Sequence, residues 1–455
     1  MSELKSINPY SGELNKVYAA HTIKETEAKL SLSHDAFKKW RNTSMDERKN
    51  VLLLCARILE DNVEKYAILI TREMGKVIKE SKAEIQKCAW VCRYYAEHGA
   101  SFLADQTLDI SNGHGKLVYD PLGTILAVMP WNFPFYQVFR FAPPALMAGN
   151  VAVLKHASNV PGCSLAIEDI FRQAGLPEGV FQSLLISSSG VGKVIAHEAV
   201  KAITLTGSAG AGSKVAAKAG EEIKKTVLEL GGSDPFIVFA DADVENAAKI
   251  AARARLINCG QSCIAAKRFI IHSSVYEKFS AVFKNTIKQM KFGDPMQEDT
   301  DFASLSSLEM AQELKAQVKA SKESGATIQW TLDEVVSRNA FFKPSILENI
   351  PPNSPAWSEE LFGPVASFFS FDDDDQATEI ANSSHFGLGA SIWTENISKA
   401  QHIAREIESG LIYINDLVAS RPDLPFGGVK QSGYGRELSF LGIREFTNQK
   451  SIWFP

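Results

Sequence analysis

Cys263 is a candidate nucleophile in this 455-residue sequence. It lies in INCGQSCIAAKRF, where Gly260 and other small residues leave access to its sulfur. The thiolate is the reactive form, and an ordinary thiol pKa of about 8.5 leaves only a few per cent of it ionised at pH 7. A covalent role for Cys263 therefore requires a local field that lowers its pKa. Taken alone, this segment favours a buried, inert cysteine.

Glu229 and Asn132 could assist such a nucleophile. Glu229 lies between apolar residues in VLELGGSDP, where a carboxyl group has a raised pKa and suits a general base near neutral pH. Asn132 lies between Pro130 and Pro134 in PWNFP, and a rigid amide can stabilise a developing oxyanion. The structural alternatives are a glutamate that faces water at the end of a strand and an asparagine that satisfies a turn.

The segment TLTGSAGAGSKVAAKAG (204–220) predicts a strand, a turn of small residues and a helix. Amide groups at the start of a helix bind anions, so a pyrophosphate could lie near Gly207 and Ser208. The glycines match neither the dinucleotide fingerprint nor the P-loop. This segment alone therefore leaves nucleotide binding open.

Other chemically suggestive segments have simpler interpretations. The four aspartates at 372–375 predict a solvated helix start, and the glycine-rich 425–437 predicts a series of tight turns without a binding role. Cys88 and Cys92 share one helix face without a histidine or acid at ligand spacing, so both are predicted to be core residues. We expect no metal site.

Composition restricts the class of protein. At about 150 residues per domain, the length predicts two or three domains. Lys and Arg total 48 against 53 Asp and Glu, a net charge of −5 without a basic stripe, so we expect no nucleic-acid partner. Apolar runs fall short of the about 20 residues of a membrane span, and the N-terminus resembles no targeting signal. Six cysteines are too few for a disulfide framework, so we expect a soluble, cytoplasmic protein.

The elements that must position these side chains alternate between helix and strand. Helical spacing is found over 23–104, where Asp46 is the predicted N-cap of the second helix. Two strands follow over 116–130, joined by a turn at 121–123. From there strands alternate with helices of 10–15 residues, which indicates an α/β fold with mostly parallel sheets. A second α/β series starts near Pro235, and the tail REFTNQKSIWFP predicts an edge strand.

The order of these motifs resembles that of the aldehyde dehydrogenase superfamily. The resemblance extends from INPYSGE near the start to the last strand, and GQSCIAAKRF is similar to the bacterial succinate-semialdehyde dehydrogenase branch. The matching motifs are PWNFP (130–134), LKHAS (154–158), TLTGS (204–208), LELGG (228–232), GQSC (260–263), EELFGPV (359–365) and PFGGVKQSGYGREL (425–438).

The resemblance implies catalytic roles for the three candidates. Cys263 would attack the aldehyde carbonyl, and the Asn132 amide and the Cys263 backbone N–H would hold the oxyanion of the thiohemiacetal. Glu229 would activate the water that hydrolyses the resulting thioester. CoA-acylating relatives generally lack this acid, and a non-catalytic binding protein of this fold would have lost one of the three residues. Cys259 is expected to be structural, with a regulatory disulfide to Cys263 left open.

The resemblance also implies an NAD(P) site. NAD-specific relatives commonly have a glutamate where this sequence has Ser158, so we expect NADP to be preferred and NAD to be usable. The implied cofactor-binding residues are Trp131, Lys155, Ser158, Gly207, Ser208, Leu230, Glu360 and Phe362.

Two residues are implied in binding succinate semialdehyde. Arg140 lies eight residues after Asn132, two helical turns along the same face, and Ser420 matches a hydroxyl-bearing position. Ile257 replaces a second arginine of the mammalian-type enzymes, which leaves room for glutarate semialdehyde or other short aldehydes. The structural alternative for Arg140 is a surface ion pair.

Finally, the resemblance implies that the chain folds into two domains and a small arm. A Rossmann-like cofactor domain would comprise 1–102 and 122–230, and an α/β catalytic domain 231–446. A small β oligomerisation arm would pair 103–121 with 447–455 and form a homodimer or homotetramer.

Overall fold

The computed structural model describes residues 3–332 and 339–455 as an α/β fold. Its strands are β1 Glu3–Ile7, β2 Leu14–Ala19, β3 Gln106–Leu108, β4 His114–Pro121, β5 Thr124–Met129, β6 Val151–His156, β7 Phe181–Ser183, β8 Val200–Thr206, β9 Lys225–Glu229, β10 Pro235–Val238, β11 Arg268–His272, β12 Thr327–Thr331, β13 Ser345–Glu348, β14 Val365–Phe371, β15 Phe386–Gly387, β16 Gly389–Trp393, β17 Leu411–Ile414, β18 Val429–Lys430, β19 Gly433–Tyr434 and β20 Thr447–Phe454.

The helices surround these strands. They are α1 Ile23–Trp40, α2 Met45–Asp61, α3 Val63–Met74, α4 Ile78–Phe102, α5 Tyr136–Met147, α6 Pro161–Gln173, α7 Val191–Ala196, α8 Ala209–Glu221, α9 Val244–Leu256, α10 Tyr276–Lys288, α11 Leu308–Glu323, α12 Pro355–Ser358, α13 Asp374–Asn382, α14 Ile397–Glu406 and α15 Ser439–Glu445.

Two large sheets confirm the prediction of two α/β series. The first has six strands in the order β19-β9-β8-β5-β6-β7, all parallel except β19. The second has seven strands in the order β12-β13-β14-β11-β10-β16-β17, all parallel except β12. Because helices cover both faces of a parallel sheet, strands such as β6 are buried along their whole length.

A third, smaller sheet joins distant parts of the chain. The C-terminal β20 pairs antiparallel with β4 from Thr447↔Pro121 to Phe454↔His114, which is the pairing expected for the arm. The sheet order β20-β4-β3 leaves one edge of β20 without a neighbouring strand among the described residues. The division of the chain into domains stays a prediction.

One predicted helix cap is wrong. Ser44, not Asp46, is the N-cap of α2: its side chain accepts from the Glu47 N–H while the Glu47 side chain accepts from the Ser44 N–H. This reciprocal capping box requires the extended backbone that Ser44 adopts just before the helix. The aspartates at 372–375 start α13 as predicted, with Asp373 as its N-cap. Among the helices of the described residues, none combines the length and the apolar character needed to cross a bilayer.

Helix α4 and the residues just before it hold two loops that reach the candidate site. The Glu84 carboxylate forms a buried ion pair with Lys76 and accepts hydrogen bonds from the N–H groups of Phe135 and Tyr136, at 2.8 and 3.0 Å. These two amides lie at the start of α5, where unpaired N–H groups need acceptors. One turn earlier, Glu80 accepts from the Asn258 N–H at 2.9 Å. One helix therefore fixes both the segment after β5 and the loop before Cys263.

Candidate active site

A cavity of about 490 Å³ brings most of the candidate residues together. The predicted residues that line it are Trp131, Asn132, Gly207, Ser208, Leu230, Cys263, Glu360 and Phe362. Sequence reasoning missed the wall that α11 contributes, with Met310, Glu313, Leu314 and Gln317, and the ring of Phe386. No spacing signal marks these residues, because only the fold places α11 against the loops of the first sheet.

The loop before Cys263 has an unusual backbone. Asn258, Cys259 and Gly260 follow one another with φ of 50°, 55° and 79°, a left-handed run that costs about 1 kcal/mol or more at each non-glycine residue. A Cβ at Gly260 would lie 2.4 Å from the Gly363 carbonyl carbon. Gly260 therefore allows the left-handed backbone of this loop and lets the Gly363 backbone approach closely. The sequence had suggested only that it leaves access to the sulfur.

Hydrogen bonds from buried side chains fix this loop against Asn132. The Asn132 amide nitrogen donates to the Gln261 carbonyl oxygen at 3.1 Å, and the Asn258 amide nitrogen donates to the Asn132 carbonyl oxygen at 2.8 Å. Lys267 donates to the carbonyl oxygens of Ser262 and Cys263, both at 2.9 Å. The predicted amide donor is thus held two residues from the predicted nucleophile.

Burial dominates the electrostatics of Cys263. It raises the pKa of the thiol to about 12, although the nearby Arg140 and Lys267 act to lower it. The field that a covalent role requires is therefore supplied in part, by two cations that act to lower the pKa of the thiol. The two cations are present, but loss of water around the sulfur outweighs them. The thiol is protonated at neutral pH and needs a base during reaction.

Cys259 faces a different environment. Its sulfur accepts a hydrogen bond from the Ala303 N–H at 3.2 Å, and burial raises its pKa to about 12. Cys259 and Cys263 are both free thiols in the structure. Cys259 belongs to the core of the second sheet, which agrees with the structural role expected from the sequence.

Glu229 ends β9 as a fully buried acid. Neither carboxylate oxygen has a hydrogen-bond partner among the described residues. Burial, followed by repulsion from Glu437, raises the pKa of Glu229 well above its ordinary value, while Arg140 acts to lower it. The alternative of a water-facing glutamate is therefore wrong, and the raised pKa predicted from the sequence is confirmed.

Arg140 is the cation inside this acid cluster. Its Nε lies 2.5 Å from Glu437 Oε2, its Nη2 lies 3.4 Å from the Thr206 hydroxyl, and its guanidinium lies 4.3 Å from the Phe426 ring centroid. Arg140 is buried, so the surface position considered above is wrong, although the ion pair is real. Phe426 and Glu437 belong to 425–437, the segment that the sequence predicted only as turns.

Ser420 lies beside the same helix as Arg140. Its Oγ is 2.9 Å from the Tyr136 hydroxyl, and its carbonyl oxygen accepts from that hydroxyl at 3.2 Å. Tyr136 and Arg140 are four residues apart on α5 and share one face of it. Ser420 and Arg140 are thus placed along the same helix face, as a shared substrate contact requires.

The residues expected to hold a dinucleotide fit such a group. Lys155, near the end of β6, is buried, and its ammonium has no hydrogen bond or ion pair to any described residue; burial lowers its pKa. Gly207 and Ser208 lead into α8, and a Cβ at Gly210 would meet nothing within 4 Å, which leaves room above these amides. An unpaired cation near the end of β6 and an open helix start after β8 suit a phosphorylated ribose and a pyrophosphate.

The other cofactor candidates lie across the cavity. The rings of Trp131 and Phe362 meet edge to face, with centroids 5.8 Å apart. Glu360 Oε1 accepts from the Gly232 N–H at 3.1 Å and lies 3.2 Å from Lys267 Nζ. Lys267 therefore links a cofactor candidate to the Cys263 loop. Within 3–332 and 339–455, no cluster of three metal-ligating side chains is found.

Comparison with known proteins decides the family. The model of the aldehyde dehydrogenase family matches residues 1–452. The chain belongs to the aldehyde dehydrogenase family. Among its relatives, it is 46% identical over 450 residues to a probable succinate-semialdehyde dehydrogenase [NADP(+)] of Synechocystis sp., with 99% of each chain covered.

Two further relatives support the membership. Succinate-semialdehyde dehydrogenase [NADP(+)] 1 of Mycobacterium tuberculosis is 45% identical over 455 residues, again with 99% of each chain covered. The crystal structure of succinic semialdehyde dehydrogenase from Streptococcus pyogenes in complex with NADP+ superposes with a TM-score of 0.97 at 37% identity, covering 99% of this chain and 100% of that one. The aldehyde dehydrogenase fold predicted from the sequence is confirmed.

The raised pKa of Cys263 predicts slow, strongly pH-dependent alkylation. Because only the thiolate reacts, the rate of iodoacetamide labelling should rise about tenfold per pH unit and still be rising at pH 10. Labelling is followed by mass spectrometry of the Cys263 peptide, and the other five cysteines are buried and should remain unmodified. A rate that levels off below pH 9 would contradict the electrostatic assignment, and Cys263→Ser is the blank.

Proposed function

We propose that this aldehyde dehydrogenase oxidises succinate semialdehyde to succinate, with NADP as its preferred cofactor. The observations that support this most directly are the hydrogen bond that holds Asn132 against the loop of Cys263 and the buried carboxyl group of Glu229, whose pKa is raised. The curated relatives cited above carry the same activity and cofactor in their names.

The reaction follows from the chemistry of these groups. The Cys263 thiol passes its proton to water, and its sulfur attacks the aldehyde carbon to form a thiohemiacetal. The Asn132 amide and the Cys263 backbone N–H donate to the oxyanion. When bound, NADP supplies the hydride acceptor. Water then hydrolyses the thioester on Cys263, with Glu229 taking the proton.

The acid cluster adjusts Glu229 for this task. Glu229 and Glu437 repel each other in a buried site, so ionising both is costly. Arg140 acts to lower the pKa of both carboxyl groups and so opposes the effect of burial on them. A base that alternates between neutral and charged states can receive a proton from water and release it again.

The preference for NADP rests on Ser158, which is exposed two residues beyond β6. A carboxylate about 4 Å from the 2′-phosphate of NADP would cost about 4 kcal/mol at an effective dielectric near 20. A serine hydroxyl removes this repulsion and adds a donor. Lys155 can bind the ribose of either cofactor, so NAD remains usable.

The carboxylate end of the substrate is assigned to the face of α5 that carries Arg140, together with Ser420. Ile257 stands in place of a second arginine, so the carboxylate is bound less tightly than in the mammalian-type enzymes. Glutarate semialdehyde and other short aldehydes are therefore the secondary substrates. Retention of Glu229 favours hydrolysis over transfer of the acyl group to CoA.

The assembly proposed here is a homodimer or homotetramer in the cytoplasm. The outer edge of β20 exposes apolar side chains, with Trp453 62% exposed and Phe454 42% exposed. A free edge with exposed rings is prone to pairing with another chain, so a second copy is the proposed partner. The six free cysteines are compatible with a reducing compartment.

The proposed activity predicts a simple assay result. Protein mixed with succinate semialdehyde and NADP should raise the absorbance at 340 nm without CoA, and added CoA should leave the rate unchanged. The kcat/KM for succinate semialdehyde should exceed that for butanal at least tenfold, because only the former carries a carboxylate for the α5 face. A rise that depends on CoA, or equal kcat/KM for the two aldehydes, would contradict the proposal.

Replacing Ser158 should change the cofactor preference. Ser158→Glu should lower kcat/KM with NADP at least a hundredfold, through repulsion of the 2′-phosphate, and leave kcat/KM with NAD unchanged or improved. Ser158→Ala, which adds no charge, is the matched control and should retain most of the NADP activity. The cofactor assignment fails if wild-type kcat/KM with NADP is more than a hundredfold below that with NAD.

A further inference from the structure

Lys87 is a half-buried cation that the reaction described above does not use. It lies in the middle of α4, and its ammonium is 4.4 Å from the centroid of the Tyr136 ring. No described acid lies within ion-pair distance of this ammonium. The Glu84 carboxylate, nearly one turn earlier on α4, instead forms an ion pair with Lys76 and accepts a hydrogen bond from the backbone at the start of α5. A lysine that is partly removed from water without a counter-ion is unfavourable unless a ligand supplies the negative charge.

The surroundings of Lys87 connect it to the proposed substrate contacts. The ring beneath its ammonium belongs to Tyr136, whose hydroxyl is bonded to Ser420. Arg140 lies one turn further along α5 and acts electrostatically on both Lys87 and Cys263. The ring beneath Lys87 is therefore bonded to Ser420 and lies one turn from Arg140 on α5, which places Lys87 beside the proposed contacts for the substrate carboxylate.

Arg140 and Lys87 differ in how far nearby acids compensate their positive charge. Arg140 is in direct contact with Glu437, and Glu229 also contributes to its charged state. Its charge is thus largely compensated within the protein before substrate binds. Lys87 has a π face beneath it and no carboxylate of a described residue within ion-pair distance, so only the longer-range charge of Glu84 compensates it. A substrate carboxylate gains more from an unpaired cation than from one that already holds an acid.

We propose that Lys87 determines substrate specificity by pairing its ammonium with the carboxylate of the semialdehyde, next to the Ser420 hydroxyl. Arg140, whose charge is shared with Glu437, remains the weaker contact for the same carboxylate and also acts on the charge of Glu229. This inference rests on the proposed function, since it assigns a residue to the carboxylate end of that substrate. It also explains how the chain binds a dicarboxylic product with Ile257 in place of a second arginine.

The pH dependence should carry the signature of this lysine. Burial, followed by the charge of Arg140, lowers the pKa of Lys87 to about 8, so the ammonium is present below pH 8 and is lost above it. The KM for succinate semialdehyde should therefore rise above pH 8 in the wild type. The ionisable groups that surround Lys87 are Lys76, Glu84, Cys88, Tyr136 and Arg140.

The test compares a charged and an uncharged aldehyde. Lys87→Met keeps the length of the stem and removes the charge; it should raise the KM for succinate semialdehyde 10- to 100-fold, with kcat nearly unchanged. Its kcat/KM for butanal should stay within twofold of the wild type, which also verifies that the variant is folded. Lys87→Arg should restore most of the affinity, and the rise in KM above pH 8 should vanish in Lys87→Met.

Two outcomes would overturn the proposal. A matched control shows whether the loss of any lysine charge changes the KM values. Lys49→Met, which removes an exposed lysine on α2, should change neither KM. Equal losses on both aldehydes in Lys87→Met would make Lys87 structural, and an unchanged KM for succinate semialdehyde would remove it from the substrate site. If wild-type protein shows no preference for succinate semialdehyde over butanal, the proposed function itself fails, independently of the Lys87 variants.

Discussion

The buried ion pair between Arg140 and Glu437 sets the charge of the whole reaction centre. It brings a permanent cation into a water-poor region that already contains the carboxyl of Glu229 and the thiol of Cys263. Burial disfavours the charged form of both groups, and Arg140 counteracts this for each of them. Without the guanidinium, burial would disfavour the charged forms of the two carboxyl groups and of the thiol still more strongly.

The backbone around this cluster is organised to keep its members in place. α4 provides two acids, Glu80 and Glu84, whose oxygens accept backbone N–H groups from the Asn258 loop and from the start of α5. Lys267 performs the complementary task with the carbonyl oxygens beside Cys263. Because these contacts are buried or partly buried, water competes with them only weakly and the two loops are held in place.

Local patterns were sufficient to predict much of this structure. The alternation of strand and helix predicted the α/β fold, and apolar neighbours predicted the raised pKa of Glu229. The order of seven motifs identified the family and most of the cavity lining. Local patterns failed where two distant segments meet: nothing in the spacing of 425–437 indicates that Glu437 reaches Arg140, and nothing in α11 indicates that it forms a cavity wall.

The net pKa shift of Cys263 could not be predicted from the sequence. The sequence indicates that a reactive thiol needs cations, and the structure provides Arg140 and Lys267, but the loss of solvent cannot be read from residue types. The Asp46 cap failed for a related reason, since the choice between neighbouring caps depends on backbone angles that only the folded chain fixes. Residue chemistry was predictable, whereas solvation and exact backbone geometry were not.

A rapid-mixing experiment on Glu229→Gln tests the covalent mechanism most directly. With succinate semialdehyde and NADP, this variant should release one equivalent of NADPH per site in a burst and then stall, and its intact mass should show one succinyl group attached through Cys263. Cys263→Ala should give neither burst nor adduct. Turnover of Glu229→Gln at the wild-type rate, without an accumulated acyl-enzyme, would contradict the assignment of Glu229 as the base that releases the product.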